Sequence, residues 1–167
     1  MQRIASAPAA FAPLNDFFSL ALLSADECAE TVAAAEAHGC WRLRGEHYGH
    51  LTNDCAVESI PALQWVTERA AALAPALIGA YGVEEPRLDA LRIVRYEADG
   101  LSSLALHSDG AALSFVCALD RDSGGGTYVR VLRQTFRPDA GHALLFCGRW
   151  MHAGAPVRRG AVRYVLT

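Results

Sequence analysis

An α+β fold, in which N-terminal helices buttress a jelly-roll β-barrel of the double-stranded β-helix type, is what the sequence predicts. Three features carry that prediction. Helical periodicity with recognisable caps is confined to residues 24–82. From residue 88 onward the chain becomes a series of short apolar runs broken by glycine-containing turns. These runs follow one another with no helical pattern between them, which favours an antiparallel barrel over alternating β-α units. With 167 residues, 52% of them hydrophobic and 20% charged, the chain can bury the core of one domain. We expect a single domain over 1–167, with a partly ordered tail over 1–16, mainly helical support over 17–87 and the β-barrel core over 88–167.

Residues 17–23 are apolar but far too short to span a bilayer, so they read as a strand. Ser24-Ala25-Asp26-Glu27 follows, and its Ser and Glu stand at the spacing at which each side chain satisfies the other's exposed backbone N–H. A helix over 25–38 starts there, with Cys28, Val32 and Ala35 on one apolar face and Gly39 stopping it. Residues 45–53 are polar and are expected to form a loop. Its His47 and His50 lack a His-Glu-x-x-His pattern and a third ligand nearby, so they read as surface histidines. Pro61 suits the first turn of a second helix, whose Leu63, Val66, Ala70 and Leu73 recur at helical spacing up to Pro75. A shorter helix over 76–81 ends at Gly82, and Trp41 and Trp65 read as core aromatics.

Strands are expected over 91–97, 101–109, 113–119, 127–132, 143–147 and 161–167. In the second of these, Ser103, Ala105, His107 and Asp109 share one face, while Leu104 and Leu106 share the other. With the first face inward, an imidazole and a carboxylate enter one space, above small residues that leave room for a bound molecule. His152 follows downstream between Gly148 and Gly154. Two histidines and one carboxylate can occupy one face of an octahedral metal and leave the other positions open, the arrangement associated with non-haem Fe(II) oxygenases. In the last strand Arg163, Val165 and Thr167 share a face, and an arginine turned into a barrel needs an anion. Gly124, Gly125 and Gly126 read as a turn, because no strand-to-helix context or following lysine makes them a phosphate cradle.

The net charge of −3 and the isoelectric point near 6.0 give no global attraction to nucleic acid or to an anionic membrane. Cys28, Cys40, Cys55, Cys117 and Cys147 are odd in number and form no Cys-x-x-Cys pair, so they are expected to be free thiols in a reducing compartment. Residues 1–14 lack the continuous apolar run of a secretory signal, and the expected location is soluble, intracellular and cytoplasmic. The alanine-rich, acid-poor character of this leader is the one feature that points to an organelle-targeting segment instead.

The motifs together resemble one family, the Fe(II)- and 2-oxoglutarate-dependent dioxygenases, in their prolyl 4-hydroxylase-like branch. The matching pieces, in the family's order, are Arg95-Tyr96, His107-Ser108-Asp109, Gly124-Gly125-Gly126-Thr127-Tyr128 and Arg137-Pro138-Asp139-Ala140-Gly141 leading to Leu144-Leu145-Phe146. His152-Ala153-Gly154-Ala155-Pro156-Val157 then leads to Gly160 and Arg163-Tyr164. The resemblance implies that His107, Asp109 and His152 hold Fe(II), that Arg163 pairs with the distal carboxylate of 2-oxoglutarate, and that the Tyr96 hydroxyl lies near the same cosubstrate. It also implies a reaction that consumes O2 and releases succinate and CO2 while a C–H bond is hydroxylated. Two departures stand out. The spacing from His152 to Arg163 is slightly longer than in this branch, which leaves either a bulge near Gly160-Ala161 or Arg159 in competition for the role. Members of the family also continue beyond the strand in which this chain stops at Thr167.

The expected activity is therefore hydroxylation of an aliphatic position, with a prolyl residue of a peptide or protein as the first substrate. A free amino acid or other small molecule is the second reading, and a non-catalytic, cupin-like metal-binding or sensor module the third. Intact candidates for all three ligands and for the arginine favour the enzyme. Neither nucleic acid nor a membrane is an expected partner.

Overall fold

The computed structural model describes residues 1–6, 16–44, 51–82, 84–121 and 123–167. His47, His50 and the rest of 45–50 lie outside the described residues. The remainder of the expected loop does not hold, because Thr52 and Asn53 already belong to a strand.

The N-terminal stretch contributes strands as well as helices. These are β1 (Gln2–Ser6), β2 (Asp16–Ala21), β3 (Arg42–Arg44) and β4 (Thr52–Ala56), with α1 (Ala25–His38) between β2 and β3. Two 3-10 turns, Val57–Ser59 and Pro61–Leu63, then lead into α2 (Gln64–Ala71) and α3 (Ala74–Tyr81). The expected tail thus contains a strand, paired antiparallel with β2. The N-terminus of α1 is as the sequence indicates: the Ser24 backbone N–H donates to the Glu27 carboxylate at 2.7 Å, and the Glu27 N–H donates to the Ser24 hydroxyl at 3.2 Å. Gly39, at φ 64°, terminates the helix.

The C-terminal part supplies β5 (Arg92–Glu97), β6 (Leu104–His107), β7 (Leu113–Ala118), β8 (Thr127–Val129), β9 (Gln134–Phe136), β10 (His142–Cys147), β11 (His152–Gly154) and β12 (Val162–Leu166). They form two antiparallel sheets. The larger has the order β1-β2-β10-β7-β12-β5-β4-β3 and the smaller the order β6-β11-β8-β9. Among the described residues no strand pairing closes the two into one barrel, so the jelly roll is a pair of facing sheets held by side chains rather than a hydrogen-bonded cylinder.

Period-2 alternation sorts those side chains. Val94, Leu144, Phe146 and Val165 pack between the sheets with Phe17, Val116 and Phe136. Their neighbours Ile93, Leu145 and Leu166 face the other way, onto Cys28 and Ala35 of α1 and Val66 and Ala70 of α2. Strand β10 is buried on both faces, which is why it reads as an unbroken apolar run. Complete burial of Phe146 contributes about 1.5–3 kcal/mol to stability.

Gly141 ties these layers together. Its carbonyl accepts the Leu22 and Leu23 N–H groups at 2.8 and 3.0 Å, and its own N–H donates to Ala118 at 2.8 Å. At φ 81°, a Cβ there falls on the Leu23 carbonyl. Gly141→Ala is therefore expected to cost at least about 2 kcal/mol, from steric overlap added to a left-handed backbone that alanine disfavours. A thermal melt should show a drop of roughly 4 °C or more.

The cysteine expectation needs correction. Cys40 and Cys55 are joined in a disulfide, with their Cα atoms 5.6 Å apart, because antiparallel pairing of β3 with β4 brings together positions separated by 15 in sequence. Only Cys28, Cys117 and Cys147 are free, and all three are buried. Burial pushes the Cys28 thiol up to about 11, which keeps it protonated and unreactive. Among the described residues no helix is long and apolar enough to cross a membrane.

Candidate metal and cosubstrate site

His107 and His152 are direct partners across the antiparallel pairing of β6 and β11, so both imidazoles leave the same face of the smaller sheet. Their ring centroids are 4.3 Å apart. Three residues of β11 oppose four of β6 in this pairing, and the resulting bulge shifts the phase of β6 by one. This overturns the expected alternation. His107 and Leu104, rather than His107 and Ala105, line the cavity, and Ala105 is exposed. The expected space beneath the ligands is thus not made by Ala105.

Asp109 lies just past the end of β6, held by its backbone N–H, which donates to the Gly148 carbonyl at 2.9 Å. That approach of the two loops requires a glycine, since a Cβ on Gly148 would stand 2.6 Å from the Ala111 carbonyl oxygen and 2.7 Å from the Ser114 hydroxyl. Asp109 Oδ1 is consequently 3.3 Å from His107 Nε2 and 3.5 Å from His152 Nε2. One candidate ligand atom from each residue lies within 4.8 Å of the others.

The orientation of the rings is set from behind. His107 Nδ1 is 2.8 Å from the Ala105 carbonyl and His152 Nδ1 is 2.9 Å from the Trp150 carbonyl. A carbonyl only accepts, so each Nδ1 carries the proton and each neutral ring holds its lone pair on Nε2, turned toward Asp109. Two Nε2 lone pairs and one carboxylate, with backbone carbonyls fixing both tautomers, fit a divalent first-row metal. Phe146 packs edge-on against the His152 ring at 4.9 Å. Burial opposes ionisation of Asp109, but when the rings also carry a proton on Nε2 the hydrogen bond from His107 and the charge of His152 outweigh it and hold the carboxyl below its ordinary value.

Arg163 comes from the opposite sheet. Its register partner is Tyr96, and the guanidinium carbon stands 5.3 Å from that ring's centroid. Arg163 is only 5% exposed, and its Nη1 donates to the Gly126 carbonyl at 3.3 Å. Among the described residues it has no carboxylate partner. Burial accordingly pulls its pKa below the ordinary guanidinium value, although Tyr96 and Asp120 pull the other way. The Tyr96 ring is buried as well, which raises its hydroxyl pKa and keeps it a donor. Gly125 permits the close packing, because a Cβ there would be 3.2 Å from Arg163 Cδ.

Arg159, the competing arginine, is exposed in a turn and does not line this cavity. The longer spacing from His152 is taken up by that turn, closed by the Ala161 N–H donating to Arg158 at 3.0 Å, and not by a bulge. His107, Asp109, His152, Tyr96 and Arg163 all border one cavity of about 910 Å³. Sequence reasoning did not find the carbonyls of Ala105, Trp150 and Gly126, since a backbone acceptor leaves no residue-type signal. Nor did it find Asp54 and Arg92 in the cavity wall, because Asp54 falls at the edge of what reads as a loop.

No family model matches the chain, and no curated protein matches it in sequence. Solved structures do match in fold. A viral collagen prolyl hydroxylase from Paramecium bursaria Chlorella virus-1, in its 2OG complex, is 16% identical with a TM-score of 0.70, covering 90% of this chain and 92% of that one. A prolyl-4-hydroxylase from Pseudomonas putida is 16% identical with a TM-score of 0.65, over 90% and 89% of the two chains. A non-haem α-ketoglutarate-dependent epimerase from nogalamycin biosynthesis is 22% identical with a TM-score of 0.65, over 90% and 75%. The chain thus has the fold of the prolyl hydroxylases and other 2OG-Fe(II) oxygenases.

Proposed function

We propose that this protein is an Fe(II)- and 2-oxoglutarate-dependent dioxygenase, a single domain over 1–167 that hydroxylates an aliphatic C–H bond, with a prolyl residue of a peptide or protein as the first substrate to test. The observation that carries the reading is Arg163. A buried guanidinium that is ion-paired to no carboxylate among the described residues, facing a His-Asp-His cluster across one cavity, is a costly arrangement that a dianionic cosubstrate would compensate. Two of the fold neighbours are prolyl hydroxylases, which supports the substrate class by analogy.

When bound, Fe(II) with 2-oxoglutarate and O2 supplies the oxidising chemistry, and the cosubstrate leaves as succinate and CO2. The chain's own residues provide binding and orientation. His107, Asp109 and His152 would hold the metal, and their single negative charge would leave the site with a net positive charge suited to a keto acid. Arg163 presents a planar fork to the distal carboxylate, a geometry that lysine cannot reproduce. Tyr96 adds a hydroxyl donor against the same group. Leu104, Val94 and Val165 make that part of the cavity wall apolar and keep bulk water from the reacting centre.

The test is an anaerobic titration of metal-free protein with Fe(II) and then 2-oxoglutarate, followed by O2 and a succinate assay. A visible charge-transfer band that needs both additions, with succinate after O2, is the expected result. Metal binding without band or succinate would favour the sensor-module reading, and absence of metal binding would overturn the site.

A further inference from the structure

The cavity does not end at the cosubstrate site. On β5 the residues Arg92, Val94 and Tyr96 share one face, and β4 pairs alongside with Asp54 opposite Val94. From Tyr96 the wall continues to Arg92 over four residues of strand, about 13 Å. Arg92 Nη1 donates to Asp54 Oδ1 at 3.0 Å, and the Thr52 hydroxyl donates to Asp54 Oδ2 at 2.6 Å. Asp54 is 3% exposed, but the Arg92 side chain remains one-third exposed. Its Nε and Nη2 donors meet no acceptor among the described residues. The cavity borders this pair on one side and, on the other, the small residues Ala70, Ala74 and Ala90.

Resting on the oxygenase reading above, we propose that Arg92, held in place by Asp54, is the specificity-determining donor for a neutral amide carbonyl of an extended peptide substrate. Two comparisons within the cavity lead there. Arg163 is ion-paired to no carboxylate among the described residues and therefore suits an anion, whereas Arg92 is already ion-paired to a buried carboxylate. What Arg92 still offers is hydrogen-bond donors, and a neutral carbonyl takes these without placing a second carboxylate next to Asp54. Distance supplies the other argument. An extended peptide of about four or five residues covers the roughly 13 Å of cavity wall between Tyr96 and Arg92, and a free amino acid does not.

The experiment uses the full chain with Mn(II) in place of Fe(II), saturating 2-oxoglutarate and no O2. An end-blocked alternating alanine-proline peptide and, separately, free L-proline are titrated by calorimetry. The wild type is expected to bind the blocked peptide in preference to L-proline. Arg92→Lys keeps a charge beside Asp54 but loses the fork, and should weaken peptide binding about tenfold or more while the affinity for 2-oxoglutarate moves less than about twofold. Arg92→Met/Asp54→Asn removes both charges together, avoids stranding a buried carboxylate, and should give the same loss at a comparable melting temperature. Unchanged peptide affinity in these variants overturns the assignment. So does a wild type that binds 2-oxoglutarate but not the blocked peptide, or that prefers free proline. A wild type that fails to bind 2-oxoglutarate at all overturns the oxygenase reading itself, and that outcome is separate because it is read before any peptide is added.

Discussion

His107→Ala, Asp109→Asn and His152→Ala should each lower metal affinity by roughly 100-fold or more and bring succinate release below detection, while the protein stays folded. The lower bound comes from the effect of disturbing a group behind a ligand, which alone costs 10- to 100-fold; removing a ligand costs more. Folding should survive the loss of His107 or Asp109, which are only partly buried, whereas His152 is buried against Phe146 and its variant is paired with a thermal melt. Asp109 is the sharpest of the three tests. The change to asparagine keeps the shape and the loop contact made by the Asp109 backbone N–H, and removes only the charge that neutralises the metal. Calorimetric titration with Mn(II), in parallel with a succinate assay on the Fe(II) form, checks the result. A variant that retains full turnover would remove its residue from the site.

Much of this site was legible in the sequence because its parts are residue types with strong chemistry at short spacing. A histidine and an aspartate two apart, a second histidine flanked by glycines and an arginine on an alternating strand are each visible without coordinates. So was α1, whose two ends are marked by a capping pair and a glycine. What the sequence hid follows a common rule: features made by backbone or by pairing leave no mark on composition. The bulge in β6 puts Leu104 rather than Ala105 beside the site, and nothing in Leu104-Ala105-Leu106 announces it. Strands β1, β3 and β4 are short, polar or at the rim of the larger sheet, so the alternation that identifies a half-buried strand is absent. The disulfide depends on the β3–β4 pairing and was invisible for the same reason. Asp54 and Arg92 became a pair only once β4 was laid against β5.

Arg163→Met should separate function from stability, moving the two in opposite directions. Methionine fills a similar volume, and its loss of the 3.3 Å bond to Gly126 is offset by removal of a buried charge that is ion-paired to no carboxylate among the described residues. Replacing buried charge by well-packed apolar groups is commonly neutral or stabilising. The melting temperature of the ligand-free variant should therefore hold or rise. Binding of 2-oxoglutarate should fall about thirtyfold or more, the lower end of what truncating one partner of a buried, hydrogen-bonded charge pair costs. Linkage gives the readout. A ligand that binds only the folded state raises the melting temperature in proportion to the logarithm of its saturation, so 2-oxoglutarate with Mn(II) should stabilise the wild type and leave Arg163→Met nearly unmoved at the same concentration. Tyr96→Phe, which keeps the ring under the guanidinium and removes only one hydroxyl donor, should lose far less of that shift. The opposite pattern, in which Arg163→Met melts much lower without ligand yet keeps its full response to 2-oxoglutarate, would make Arg163 a structural cation and would leave the His-Asp-His cluster without a cosubstrate clamp.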